Sequence, residues 1–347
     1  MDNLFLSLLA ERPWLLADGA TGTSLFARGL ATGEAPDLWN EQQPDQIRAH
    51  YQSFIAAGSD LVLTNTFGGT ANRLKLHGAE GRVREINRLG AALLREMADR
   101  AGRPVVVAGS MGPTGDLFEP LGPMTHADGV AAFKAQAEGL AEGGADVLWI
   151  ETMSSPDEIK AAVEGAATTG LPVVVTVSFD TNGRTMMGVT PTQWAQLAHQ
   201  QAVPLAAYGG NCGVGASELL AALIAARAAA QPGDVVVAKS NCGVPAWVDG
   251  QIKYSGTPEL MADYARLARD AGARIIGGCC GTTPEHVAAM HAALQGYQPG
   301  EPPSLETVVA RLGQVSDATL KLGLFGLESS GDAPEDGGRR RRRRAQF

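Results

Sequence analysis

Eight short apolar runs, many of them β-branched, recur along this chain with amphipathic or alanine-rich stretches between them. That alternation constrains the fold more than any other feature. The runs at Trp14–Ala17, Asp60–Leu63, Val105–Ala108, Val147–Ile150, Val173–Val177, Leu205–Tyr208, Val235–Ala238 and Arg274–Ile276 predict strands. Segments such as Gln46–Ala57, Arg82–Arg100, Ala127–Glu142, Asp157–Thr168, Pro191–His199, Ala216–Ala230 and Pro258–Asp270 predict helices. Continuous apolar strands alternating with helices imply a parallel sheet covered on both faces. With 347 residues the chain has the length of two average domains or one large α/β barrel. Eight units favour a (β/α)8 TIM barrel. A dinucleotide-binding sheet needs Gly-x-Gly-x-x-Gly after its first strand, and Gly19-Ala20-Thr21-Gly22-Thr23 does not match.

The polar and glycine-rich motifs support the barrel independently. Asp18, Thr64-Asn65-Thr66-Phe67, Gly109–Asp116, Glu151-Thr152, Asn211-Cys212, Asn241-Cys242 and Cys279-Cys280 each directly follow a predicted strand. Barrel enzymes assemble their sites at that carboxyl-terminal rim.

Three of the four cysteines lie on glycine-rich turns, in Gly210-Asn211-Cys212-Gly213 and Gly277-Gly278-Cys279-Cys280-Gly281. Adjacent side chains in a strand point to opposite faces, so two neighbours serve one ion only where the strand has ended. Flanking glycines permit the bend. A redox pair would use Cys-x-x-Cys spacing, and iron–sulfur binding four cysteines in recognisable spacings. Neither is present. Zinc suits thiolates, and three protein ligands leave a fourth position open, as in catalytic sites. Three thiolates on Zn2+ carry a net charge of −1, which favours a bound substrate thiolate attacking an electrophilic carbon, above all a methyl group. Hydrolytic zinc sites prefer histidine and carboxylate ligands, and no His-Glu-x-x-His occurs.

Asp18 and Glu151, after the first and fourth strands, suit a thiol substrate that carries an amine. Together they would hold an ammonium group, while backbone N–H groups around Thr64 to Phe67 would take a carboxylate.

Composition removes several alternatives. Hydrophobic residues make up 45% of the chain, enough for a large core. The formal charge is −9 even though Arg339 to Arg344 are all cationic, so the body is acidic and a poor nucleic-acid binder. No secretory signal is apparent and no apolar run reaches a membrane-spanning length. Reduced cysteines then fit the cytoplasm. From residue 299 onward, Pro299, Pro302, Pro303 and a polar stretch before the arginines predict a largely disordered extension (299–347) beside a barrel at 1–298.

Several motifs together closely resemble the homocysteine S-methyltransferase family. They are Asp18–Thr23, Leu63–Gly68, Gly112–Asp116, Glu151-Thr152, Asn211-Cys212 and Gly277–His286. The resemblance implies that Cys212, Cys279 and Cys280 bind zinc, which takes homocysteine sulfur as its fourth ligand. It implies that Asp18 and Glu151 bind the homocysteine amino group, and that methionine is the product. Family donors are betaine, S-methylmethionine, S-adenosylmethionine or methylcobalamin. Trp39 and Phe67 would form part of a cation–π cage for betaine. Betaine-using animal members, however, have tyrosines where this chain has Gly68 and Thr152.

The motifs look more like the homocysteine module of cobalamin-dependent methionine synthase. The chain is too short for folate and cobalamin modules and lacks Asp-x-His-x-x-Gly. A cobalamin route would therefore need a separate methylated corrinoid protein docking at the rim. Cys242 occupies a position where the family usually has alanine and reads as a small rim or core residue. His286 reads as a structural or capping residue. The competing expectation is a non-catalytic, zinc-stabilised barrel whose arginine tail recruits a partner. An oligomer is compatible with either.

Overall fold

The computed structural model describes residues 3–320, apart from 244, 249 and 250; the arginine run and the end of the expected extension lie outside the described residues. Eight parallel strands form the barrel: β1 (Leu15–Leu16), β2 (Leu61–Leu63), β3 (Val106–Met111), β4 (Val147–Met153), β5 (Val173–Val177), β6 (Ala207–Cys212), β7 (Val236–Ser240) and β10 (Ala273–Gly278). Their order is β1-β10-β7-β6-β5-β4-β3-β2. A bridge between Ala17 and Leu61 closes the ring, helped by the Asp60 N–H donating to the Leu16 carbonyl at 2.7 Å. The (β/α)8 expectation holds.

Period-two alternation sorts the strand residues. Leu15, Ala17, Leu61, Leu63, Val106, Ala108, Val147, Trp149, Val174, Ala207, Val237 and Ile275 fill the barrel interior. Leu16, Val62, Val107, Leu148, Ile150, Val175, Ala238 and Ile276 pack outward against the helices. The helix Leu4–Glu11 plugs the amino-terminal end with Phe5, Leu8 and Leu9.

Four outer helices begin on one local signal. Ser155-Pro156, Thr190-Pro191, Thr257-Pro258 and Thr283-Pro284 each place a hydroxyl residue at the cap and proline at the first turn. In the first three the hydroxyl accepts an orphan N–H, and in all four proline needs no partner at its own position.

Three departures from expectation stand out. Strands β3, β4, β6 and β10 run two to four residues further into the polar motifs than the apolar runs suggested. A two-stranded antiparallel hairpin, β8 (Pro245–Val248) with β9 (Gln251–Tyr254), follows β7. The expected extension is helical in its first part, where Leu305–Leu312 buries Val308 and Leu312.

Candidate metal centre and substrate site

The alternation that builds the core also builds the site. Two residues beyond the inward-facing Ala108, Trp149, Val174 and Val237 come Ser110, Glu151, Thr176 and Lys239. Asn211 follows Ala207 and Gly209 by the same count on β6. These five polar side chains therefore cap the apolar layers from inside the barrel mouth.

The sulfurs arrive from two strand ends. Cys212 closes β6 with φ +61°, in the left-handed region, and Gly213 continues at +75°. Cys279 and Cys280 follow the end of β10, in a turn completed by Gly281 at φ +78°. The turn is tight: a Cβ on Gly278 would fall 2.2 Å from Thr282. The three sulfurs lie within 4.8 Å of one another, Cys212 and Cys280 at 3.9 Å. Sulfurs about 2.3 Å from a tetrahedral zinc ion are about 3.8 Å apart, so the trio fits such an ion. The Cys280 thiol is held down at about 3 because Cys212 and Cys279 hydrogen-bond to it. Cys212 is pushed up by its hydrogen bonds to Cys279 and Cys280 and by burial.

Asparagines brace both arms. Asn241 Nδ2 donates to the Gly213 carbonyl at 2.6 Å, and its Oδ1 accepts the Cys280 N–H at 3.0 Å. Asn211 Oδ1 accepts the Thr152 N–H at 2.8 Å and the Thr176 hydroxyl at 2.6 Å, while its Nδ2 donates to Thr152 Oγ1 at 2.7 Å. Thr152 needs that hold. A β-branched residue at φ +62° is strained, and it sits in a register irregularity of β4 immediately after Glu151. Such bulges re-aim neighbouring side chains.

Glu151 lines the same cavity as the three cysteines, and Asp18 lies buried behind the lining residue Lys239. Asp18 is 1% exposed. Its Oδ1 is 2.5 Å from Lys239 Nζ and its Oδ2 accepts the Leu63 N–H at 2.8 Å. Burial pushes this carboxyl up against the pull of Lys239. Glu151 accepts the Ser110 hydroxyl at 2.5 Å. Burial and the neighbouring Cys279 raise it to about 8, opposed by Lys239.

Among the other predicted residues, Thr64 and Phe67 also line the cavity. The backbone N–H groups of Thr64, Asn65 and Thr66 are already bonded, to Ala108 O, Tyr51 Oη and Thr66's own neighbour Thr64 O. Trp39 is corrected: it is buried in the layer between strands and helices and does not line the cavity. Cys242 is buried, with its sulfur 3.2 Å from His286 Nε2. His286 is the third residue of a helix and forms a capping box with Thr283. Sequence reasoning missed Lys239, Ser110 and Asp37. Counting in twos from Val237 and Ala108 would have found the first two. Asp37 is buried, accepts the Gly68 N–H at 3.0 Å, and is raised by burial to about 6.

The cavity has a volume of about 480 Å³. Around the rim stand Phe26, Phe67, Leu76, Leu117, Leu121, Met186, Met187 and Val214, eight of the nine exposed large apolar side chains among the described residues. All eight belong to loops or short helices that follow barrel strands. These side chains thus share the carboxyl-terminal face of the barrel with the cavity mouth.

Residues 15–294 match the family described as Homocysteine S-methyltransferase. Methionine synthase of Mycobacterium tuberculosis is 30% identical over 341 residues, covering 92% of this chain and 28% of that protein. Methionine synthase of Mycobacterium leprae is 30% identical over 319 residues, covering 87% and 26%. The chain thus spans about a quarter of the length of these curated relatives. Among solved structures, the metallated form of the homocysteine methyltransferase MmuM from Escherichia coli is 26% identical with a TM-score of 0.69, covering 84% of this chain and 99% of that one. The oxidised form gives 25% identity, a TM-score of 0.70 and the same coverage.

Proposed function

Because the chain belongs to the homocysteine S-methyltransferase family, and so to the methyltransferases, we propose that its rim cavity is a zinc-dependent site that methylates homocysteine to methionine. One observation carries this reading: three sulfurs from β6 and the end of β10 converge in one cavity that the buried Glu151 also lines, with Asp18 buried next to its lining residue Lys239. Cys212, Cys279 and Cys280 would hold the ion, which when bound supplies a Lewis acid with one position for a thiolate. Asn241 fixes the distance between the two cysteine arms. Glu151 and Asp18 form the acidic side that receives the substrate's amine. The deep apolar layer beneath them excludes water from the sulfur, which leaves it less solvated and more nucleophilic. Sulfur then attacks the methyl carbon in line, the bond from carbon to its carrier breaks, and methionine leaves.

We infer further that the donor methyl is presented by a second protein or domain, of the methylated corrinoid kind. The apolar collar around the mouth and the much greater length of the methionine synthase relatives support this. Betaine fits less well, since Trp39 is withdrawn from the cavity and Phe26 and Phe67 are its aromatic lining.

The test is methionine formation by the pure zinc protein with betaine, S-methylmethionine, S-adenosylmethionine, methylcobalamin and a methylated corrinoid protein in turn. Turnover with the last alone supports both readings. Turnover with a small onium donor keeps the methyltransferase and removes the docking partner. Zinc bound without turnover, and with no added sulfur ligand on exposure to homocysteine, would leave a structural metal in a non-catalytic barrel.

A further inference from the structure

Cys279 and Cys280 lie past the end of β10, so their course is set by where their own backbone groups bond. Three of those four groups are held by successive residues at the end of β7. The Cys279 N–H donates to the Ser240 carbonyl at 2.6 Å, the Cys280 N–H donates to Asn241 Oδ1 at 3.0 Å, and the Cys280 carbonyl accepts the Cys242 N–H at 2.9 Å. The Cys279 carbonyl turns elsewhere, to the Thr282 N–H at 3.1 Å. The placement of both sulfurs therefore depends on what steadies residues 240–242.

Beyond Cys242 the chain passes through Gly243 at φ +84°, a position with little stiffness of its own. The hold comes instead from the Cys242 side chain, which is buried against His286. His286 Nδ1 accepts the Thr283 N–H at 3.1 Å, which assigns the ring proton to Nε2. That nitrogen donates to the Gly256 carbonyl at 3.2 Å and lies 3.2 Å from Cys242 Sγ. The Cys242 thiol donates to the same carbonyl at 3.2 Å, and the Gly256 N–H returns a bond to the Cys242 carbonyl at 3.1 Å. The knot has no slack, since a Cβ on Gly256 would fall 2.6 Å from the Cys242 sulfur. We propose that His286, through Cys242 and Gly256, is a positioning residue for the metal ligands Cys279 and Cys280. This rests on the three cysteines being the zinc site proposed above. Capping alone does not require a ring: Gln193 fills the same place in the capping box of Thr190. Imidazole adds a second nitrogen that reaches back to the β7 loop.

The test uses that difference, on the full chain. His286→Gln keeps a residue able to cap the helix and removes the reach to Cys242 and Gly256. It should unfold at the wild-type midpoint, yet bind zinc about 10-fold more weakly in competition with a chromophoric chelator, the low end of the cost of losing a group behind metal ligands. Its cobalt(II) form should show shifted d–d bands, which report the sulfur cage directly. Cys242→Ala should lose about 3-fold in zinc affinity, because His286 still reaches the Gly256 carbonyl. Cys242→Ser, which keeps a donor and an acceptor, should restore the wild-type affinity. Unchanged zinc affinity and an unchanged cobalt spectrum in His286→Gln would reduce His286 to a helix cap and overturn the assignment. Should that variant misfold, the Cys242 pair decides: equal zinc affinity in Cys242→Ala and Cys242→Ser overturns it as well. A wild type that binds no zinc would remove the metal site itself, and the positioning role with it.

Discussion

At the amino-terminal end of the barrel, Arg12, Trp14, Gly58, Asp60, Arg103 and His291 line a cavity of about 550 Å³, slightly larger than the one at the rim. Its polar groups are matched to one another. Asp60 takes Arg12 at 2.6 Å and the Leu16 N–H at 2.9 Å, and Arg103 donates to the carbonyls of Ile55 and Ser59 at 2.8 Å. No residue of that group has a positive φ other than Gly58. The rim cavity is the opposite. It holds two strained non-glycine residues, Thr152 and Cys212, three sulfurs facing one another, and a carboxyl raised to about 8. Volume does not distinguish the two ends. What distinguishes them is whether the polar groups are satisfied by the fold or held ready for something else.

The contrast breaks most severely at the sulfurs. Cys280→Ala is expected to lose stoichiometric zinc and methyl transfer together while the barrel stays folded, checked by elemental analysis, a methionine assay and circular dichroism. Zinc retained at one equivalent would remove Cys280 from the ligand set.

Next in size is the brace behind the strain. Asn211→Ala frees Thr152 from its two hydrogen bonds to that side chain and lets Glu151 drift. The expectation is a roughly 10- to 100-fold lower kcat/KM with zinc retained, the usual cost of losing a partner behind the ligands. Full activity would mean that β4 holds its own bulge.

A third measurement sharpens the electrostatic side. The folded-state value of Glu151, about 8, lies above its ordinary 4.5. The folded protein therefore keeps an extra proton between those values. Relative to Glu151→Gln, the wild type should lose stability as pH rises from about 4.5 to about 8 and level off above, by up to about 5 kcal/mol. Parallel stability curves for the two proteins would show that the carboxyl is solvated or fully paired.

The smallest effect belongs to the other end. Asp60→Asn should cost about 1–2 kcal/mol of unfolding free energy, since the ion pair with Arg12 loses its charge and only one of two acceptor oxygens remains for Arg12 and the Leu16 N–H. Methyl transfer by the folded fraction should be unchanged. A loss of kcat comparable to that of Asn211→Ala would erase the division between the two ends.

The barrel strands were legible because each apolar run is buried on both faces, and their cores were located in every case. Their carboxyl-terminal ends were not. Ser110 and Asn211 look like loop residues by composition, yet neighbouring strands pair with them, and β4 resumes pairing at Met153 after the irregularity that holds Glu151, so β3, β4 and β6 continue through the polar motifs. The hairpin β8–β9 has no apolar run that sets it apart from a loop. Lys239 was passed over because a lysine after an apolar strand usually turns to water, although its even count from Val237 puts it on the inward face.

What the sequence determined alone was periodicity and the glycine-flanked sulfurs, because alternation and backbone freedom are local properties of the chain. The tertiary structure decided which groups meet. It brought Cys212 next to a pair 67 residues downstream (Cys279), handed Asp18 to Lys239 and turned Trp39 into the core. Those outcomes depend on barrel closure, which fixes distances between side chains that no count along a single strand contains.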